Sequence, residues 1–356
     1  MKAERKTRRW PWVLCAVLAV LVAVVVIWRE PIRMIWYSNV DPQNPLDVSD
    51  PWAGGEVYRN VQYCDVSETD YINLYVPHGD EPAPLIVLVH GGGFVLNDCE
   101  SRQAQLFYQY FRDHGYACAT VNYRLAQEAK FPAALEDVKC AVRFLKAHAA
   151  EYGYNADKVA IWGESAGGYL AVMASVTNED EFNSLAYIGQ DQVEEPVTAK
   201  VDLLVDYYGC VVLESKADRA KAFRALGVPA FVVDIANNWL ADAIKDMPGF
   251  ESCEDAWMGK PFAELTEEEN RAAQPMVYVE KNLSPDSGLE ALIRHGDADI
   301  TVPVTQSKDL YALMADRLGE DRVTLEIVRN AKHADENMYS DGDLEQVKAW
   351  LDARIR

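Results

Sequence analysis

Three parts of this chain hold groups suited to attack on a carbonyl carbon. Gly163-Glu164-Ser165-Ala166-Gly167 sets a hydroxyl between glycines, His90-Gly91-Gly92-Gly93-Phe94 offers consecutive backbone amides, and segments 295–303 and 330–333 bring carboxylates and an imidazole. A serine hydroxyl keeps its proton at neutral pH and is a weak nucleophile. It needs a base within hydrogen-bond reach and donors for the negative oxygen that forms as it attacks. The G-x-S-x-G pattern follows the apolar run 159–162 (VAIW) and precedes an apolar, Ala-rich run, which predicts a buried strand, a sharp turn and a helix. Gly163 and Gly167 stand where so tight a turn leaves no room for a Cβ.

On such a turn the partners follow in the order Ser, acid, His. Of the six histidines, His78, His90, His114 and His148 precede Ser165, and His295 closes a strand directly before the acid loop, which suits a structural role. That leaves His333, in a loop after the last strand, as the base. The acid must fix the imidazole tautomer and stabilise the imidazolium. Asp297 and Asp299 both lie in the right loop; we take Asp299, with Asp297 shaping the loop, and keep Asp202 and Asp206 as outside candidates. The oxyanion hole is assigned to the N–H groups of Gly92, Gly93 and Ala166, the last at a helix N-terminus whose dipole favours negative charge. A phosphate cradle is the other use of a glycine-rich loop, but G-x-G-x-x-G and the P-loop lysine are both missing.

The elements that must hold these groups alternate. Runs 56–63 and 70–76 read as an antiparallel pair, and 85–89 as a buried strand leading into the glycine loop. A helix at about 101–113, a strand at 116–123 and a long helix from 132 to about 150 follow, with Leu135, Val138, Val142, Leu145 and Ala149 on one face. Strands at 201–208, 289–294 and 322–328 and helices at 304–318 and 342–355 complete a mainly parallel sheet with helices on both faces. Between about 211 and 288 the rhythm breaks into short helices, with Pro229, Pro248, Pro261 and Pro275 among their breaks. We read this as a cap-like insertion over the strand ends; its exposed-looking Trp239, Phe250, Trp257 and Phe262 either line the substrate pocket or form the cap's own small core.

The first thirty residues are a separate unit. Five basic residues precede the 17 uncharged residues 12–28, which as a helix span roughly 25 Å, at the short end for a bilayer. No small-residue cleavage site closes this run, so the reading is a cytoplasmic basic tail and signal-anchor over 1–37, a linker over 38–55 and a hydrolase domain over 56–356. The expected location is the cell membrane, single-pass with the catalytic domain on the extracytoplasmic side; secretion after cleavage is the alternative. Residues 1–30 hold 6 basic and 2 acidic side chains, which leaves the body with 28 basic against 54 acidic and a charge near −26. Such a field repels nucleic acid. The seven cysteines show no C-x-x-C spacing, so no metal site is expected. Cys118 and Cys140 read as packed thiols, whereas Cys64, Cys99 and Cys253 read as loop residues able to pair in an oxidising compartment.

Taken together, the blocks His90-Gly-Gly-Gly-Phe94, Asn122-Tyr-Arg-Leu-Ala126 with Phe131-Pro-Ala133, Gly163-Glu-Ser-Ala-Gly-Gly168, and His295-Gly-Asp-Ala-Asp299 with Val302-Pro303 and Gln306-Ser307 make residues 56–355 resemble an α/β-hydrolase. The resemblance is to the hormone-sensitive-lipase-like branch and the related bacterial acetyl and feruloyl esterases. It implies that the acid of the H-G-x-x-D pattern falls on Asp299. Because the cap-like insertion follows the nucleophile, the esterase subgroup is the better match. The expectation is a serine carboxylesterase acting without cofactor on small-molecule or glycan esters. A peptidase or amidase with the same groups and a non-catalytic, surface-anchored binding module are the alternatives.

Overall fold

The computed structural model describes residues 52–355, apart from the side chains of residues 235–240. The basic tail, the apolar segment and most of the linker lie outside the described residues, as does the Trp239 side chain. Among the described residues, no helix is long and apolar enough to cross a membrane.

Eight strands among the described residues form one sheet in the order β1-β2-β4-β3-β5-β6-β7-β8. They are β1 Gly55–Gln62, β2 Tyr71–Pro77, β3 Ala83–Val89, β4 Ala117–Val121, β5 Tyr154–Glu164, β6 Leu203–Tyr207, β7 Glu290–Gly296 and β8 Val323–Val328. β2 runs antiparallel to both neighbours, and the other five pairings are parallel. The central strands read as unbroken apolar runs because both faces are covered. Leu85, Val87, Val89, Val159 and Ile161 enter one core, and Ile86, Leu88, Ala160 and Trp162 enter the other.

The helices that frame this sheet are α1 Arg102–Asp113, α2 Ala133–Ala147, α3 Ala166–Val176, α4 Lys216–Ala225, α5 Ala230–Ala243, α6 Cys253–Met258, α7 Glu267–Ala272, α8 Pro275–Asn282, α9 Val304–Leu318 and α10 Asp341–Ile355. α1 and α10 supply apolar residues to one core, and α2, α3, α8 and α9 to the other. α2 is shorter than its apolar stripe predicts. His148 leaves the helical region, and a separate turn, Ala149–Tyr152, ends at Gly153 with φ 79°.

The segment leading into the helices after β6 is pinned by two glutamine side chains that pair with backbone as a neighbouring strand would. Gln306 accepts from Val212 N–H and donates to its carbonyl, and Gln274 does the same for Leu213. Phe223 of α4 and Val228, Val232 and Val233 then pack on Ala298 and Ile300, the residues either side of Asp299. The helices therefore rest directly on the acid loop.

Two readings are corrected here. Trp257 is fully buried rather than exposed, stacked on Phe94 with ring centroids 4.2 Å apart and edge-on to Tyr169 and Phe131, while Phe250 and Phe262 are partly buried against the same core. A large aromatic surface is too costly to leave in water when a core is within reach. Cys64, Cys99 and Cys253 are buried rather than held out for pairing, packed because a small thiol behaves as an apolar filler.

Candidate active site

The turn after β5 carries Ser165 at φ 55°, ψ −119°, a conformation that L-residues avoid and that thrusts the side chain clear of the sheet edge. Two close approaches hold it there. A Cβ on Gly163 would lie 2.2 Å from the Gly167 carbonyl oxygen, and one on Gly167 would lie 2.1 Å from that of Val89. The Ser165 N–H is tied to the Tyr207 carbonyl at 2.9 Å, so the turn is anchored to β6 as well.

β7 ends at Gly296, and the loop beyond it buries Asp299 completely. Asp299 Oδ1 accepts from the Thr301 and Val302 amides at 2.7 and 2.9 Å, and Oδ2 receives His333 Nδ1 at 2.7 Å. Asp297 turns the other way and accepts from Asn330 N–H at 2.6 Å, which fixes the start of the loop that carries His333. Asp202 bonds Val159 N–H and Asp206 bonds Gly209 N–H, so neither outside candidate takes up the imidazole.

His333 brings the two halves together, with Nε2 3.0 Å from Ser165 Oγ. Since carboxylate Oδ2 faces Nδ1, that nitrogen carries the proton and Nε2 offers its lone pair to the serine hydroxyl. The ring stands edge-on to Tyr208, with centroids 4.8 Å apart. Burial pulls the imidazole down, but Asp299 and then Glu164 outweigh it and hold His333 above its ordinary value. Burial likewise works against Asp299 ionising, yet the His333 and His295 imidazoles hold its carboxyl well below the usual carboxylate range. This arrangement can take a proton from Ser165 and return it to a leaving group.

His295 lies behind the acid. Its Nε2 is 3.2 Å from Asp299 Oδ2 and 3.1 Å from the Val302 carbonyl, and its Nδ1 is 2.7 Å from Ser307 Oγ. The structural role read for it from the sequence is therefore the one found, and Ser307 is its outer partner.

The amides of Gly92, Gly93 and Ala166 have no protein acceptor among the described residues and border the same pocket as Ser165, directly or through the adjoining turn. Gly92 and Gly93 have φ 116° and 60°, backbone conformations that favour glycine and that successive inward-facing N–H groups require. His90 does not reach the pocket. It stacks on Tyr123, bonds the Gly91 carbonyl and is brought down by burial to about 4, so it stays neutral and structural.

Residues that the sequence reading left out also line the pocket, among them Leu96, Cys210, Arg219, Ala243 and Glu254. Neither Trp257, Phe250 nor Phe262 is among the lining residues. Glu164 had a signal in its place beside the nucleophile. Arg219 and Glu254 had none, since charged residues on short helices are ordinarily solvated. Among the described residues, no cluster of three or more His, Cys, Asp or Glu side chains is placed to hold a metal ion.

The BD-FAE family model matches residues 72–314. The chain is 32% identical over 161 residues to the carboxylic ester hydrolase LipN and 25% identical over 252 residues to the esterase LipQ, both of Mycobacterium tuberculosis. These matches cover 44% and 71% of this chain but 39% and 50% of the relatives, so the chain spans half or less of their length. A truncated carbohydrate esterase from gut microbiota superposes with TM-score 0.66 at 22% identity, covering 85% of this chain and 98% of that one, a likeness of α/β-hydrolase fold.

Proposed function

The chain belongs to the BD-FAE family, and from that premise we propose that it is a serine carboxylesterase acting on small or carbohydrate-linked esters. One observation carries the reading: the contacts Asp299 Oδ2 to His333 Nδ1 and His333 Nε2 to Ser165 Oγ, at 2.7 and 3.0 Å, run unbroken beside unengaged amides. In the proposed reaction Ser165 Oγ attacks the ester carbonyl while His333 Nε2 takes its proton. The Gly92, Gly93 and Ala166 N–H groups hold the oxyanion, each such donor contributing about 3 kcal/mol. Collapse of the tetrahedral species expels the alcohol, which receives the proton from His333, and water then releases the acyl group by the same steps. Asp299 stays ionised and steadies the imidazolium. The carbohydrate-linked part of the reading draws on what the structural neighbour is called.

Labelling with a fluorophosphonate probe tests the reading. Stoichiometric modification at Ser165, with loss of p-nitrophenyl acetate hydrolysis, is expected; an unlabelled serine in folded protein would sink it. Turnover of aminoacyl amides at rates matching the esters would turn the assignment toward an amidase. We further propose that residues 1–37 anchor the domain on the extracytoplasmic side. Recovery of the untagged chain in the aqueous phase of a detergent partition would overturn that part.

A further inference from the structure

β6 keeps the two-residue period of a strand to its end, and the next residue breaks it. Leu203, Val205 and Tyr207 enter one core and Leu204 the other, so the period places Tyr208 with Leu204. Tyr208 lies instead in the core of Tyr207, fully buried, because its backbone stands at φ 42°, a conformation that a bulky L-residue keeps only when its surroundings hold it there. Of the eight non-glycine residues with positive φ among the described residues, Phe94, Asn97, Ser165 and Ala334 line the serine pocket. Tyr208 shares their strain from behind the pocket wall.

The broken period brings Tyr208 against both halves of the triad. On the serine side, the Tyr207 carbonyl accepts the Ser165 N–H at 2.9 Å and the Cys210 N–H donates to the Ser165 carbonyl at 3.3 Å, so segment 207–210 grips the nucleophile from two directions. The Tyr208 N–H donates to the Arg294 carbonyl at 2.7 Å, which fixes that segment to β7. On the histidine side, the Tyr208 ring stands edge-on to His333, with centroids 4.8 Å apart, and its hydroxyl bonds the hydroxyl of Tyr339. Tyr339 closes the turn Glu336–Tyr339, which follows the loop that carries His333. Asp299 holds the imidazole at Nδ1 only. A ring hinged at one nitrogen can still swing the other across its target, and a contact from the side removes that swing.

We infer that Tyr208 is a positioning residue, which through its ring and through Tyr339 keeps His333 Nε2 on the Ser165 oxygen. The inference rests on the esterase reading and gives the ring the larger share and the hydroxyl the smaller.

The experiment measures kcat and KM of the full chain on p-nitrophenyl acetate, with kcat expressed per serine titrated to completion by a fluorophosphonate probe and a thermal melt run alongside. Tyr208→Leu removes ring and hydroxyl together and should lower kcat per titrated serine about 10²-fold, the effect of misplacing a catalytic group by about 1 Å, with KM changed less than about threefold. Tyr208→Phe keeps the ring and should recover most of that loss, to within about tenfold of the parent. Tyr339→Phe removes the same phenol bond from its other end, so the two single Phe variants and their double should agree within about twofold. A purely structural role gives a different pattern: a lower melting temperature and fewer titratable serines, with kcat per titrated serine kept. That pattern in Tyr208→Leu overturns the inference, as do additive losses in the double Phe variant. Should Tyr208→Leu not fold, the Phe variants decide, and parental kcat per titrated serine in all three overturns it. These results leave the esterase reading standing; a parent chain with no titratable serine and no hydrolysis overturns both.

Discussion

Glu164 Oε1 accepts the Gly91 N–H at 2.8 Å, joining the residue before the nucleophile to the glycine loop 73 positions earlier. The carboxylate is buried, which pushes it above its ordinary range, and the Gly91 bond works against that shift. The bond makes the serine turn and the amides of Gly92 and Gly93 one unit. In the proposed reaction, the amides that would hold the oxyanion are therefore preorganised by the residue next to Ser165.

Gly91 has no room for a larger residue. A Cβ there would sit 2.7 Å from Glu164 Oε1 and 2.8 Å from the Glu164 carbonyl oxygen. Gly91→Ala should displace the loop and lower kcat by roughly 10²–10³, the effect of losing one oxyanion donor. Steady-state kinetics with a thermal melt as control would check this, and unchanged kcat would remove the loop from the reaction.

Replacing Ser165 by Ala leaves the fold intact, since nothing depends on the hydroxyl except His333. A loss of kcat of order 10⁶ is expected, with residual rate from the remaining amides. Ester turnover by purified Ser165→Ala protein reads this directly.

The two acid-loop carboxylates should separate cleanly. Asp299→Asn disturbs the tautomer at His333 Nδ1 and should cost about 10⁴ in kcat. Asp297→Asn acts at the Asn330 end of the loop and should lower the melting temperature with kcat changed less than about tenfold. The reverse ranking would move the acid to Asp297.

His333 must be neutral to accept the serine proton, and its folded pKa lies above the ordinary 6.5. kcat/KM should therefore rise with pH along an acid limb whose midpoint is above 6.5. Glu164→Gln removes one of the charges that raise it, so the limb should move to lower pH. A pH–rate profile of parent and variant decides it; movement to higher pH would contradict the assignment.

Asp206 is fully buried with Oδ2 unpartnered among the described residues, and burial pushes its carboxyl up to about 7 from 3.8. The folded state thus holds a proton that the unfolded chain gives up, so stability falls as pH rises between those values. Asp206→Asn abolishes the titration. Its stability relative to the parent should improve by a few kcal/mol between pH 4 and pH 8, measured by denaturant unfolding. A difference that does not vary with pH would refute this.

The strand-helix alternation, the glycine-flanked serine and the late imidazole are visible in the residues themselves because each follows from local rules: period, turn sterics and order along the chain. His333 could be found by elimination, and the two sheet cores by continuous apolar runs. Asp299 against Asp297 could not be decided from spacing alone. It depends on which carboxylate the turn at 296–302 points inward, and that turn is set by amide bonds from Thr301 and Val302. The burial of Trp257, the tie from Glu164 to Gly91 and the meeting of Arg219 with Glu254 join positions far apart in sequence. No local pattern encodes which distant surfaces will meet; packing decides it, and so the pocket's polar lining exists only in three dimensions.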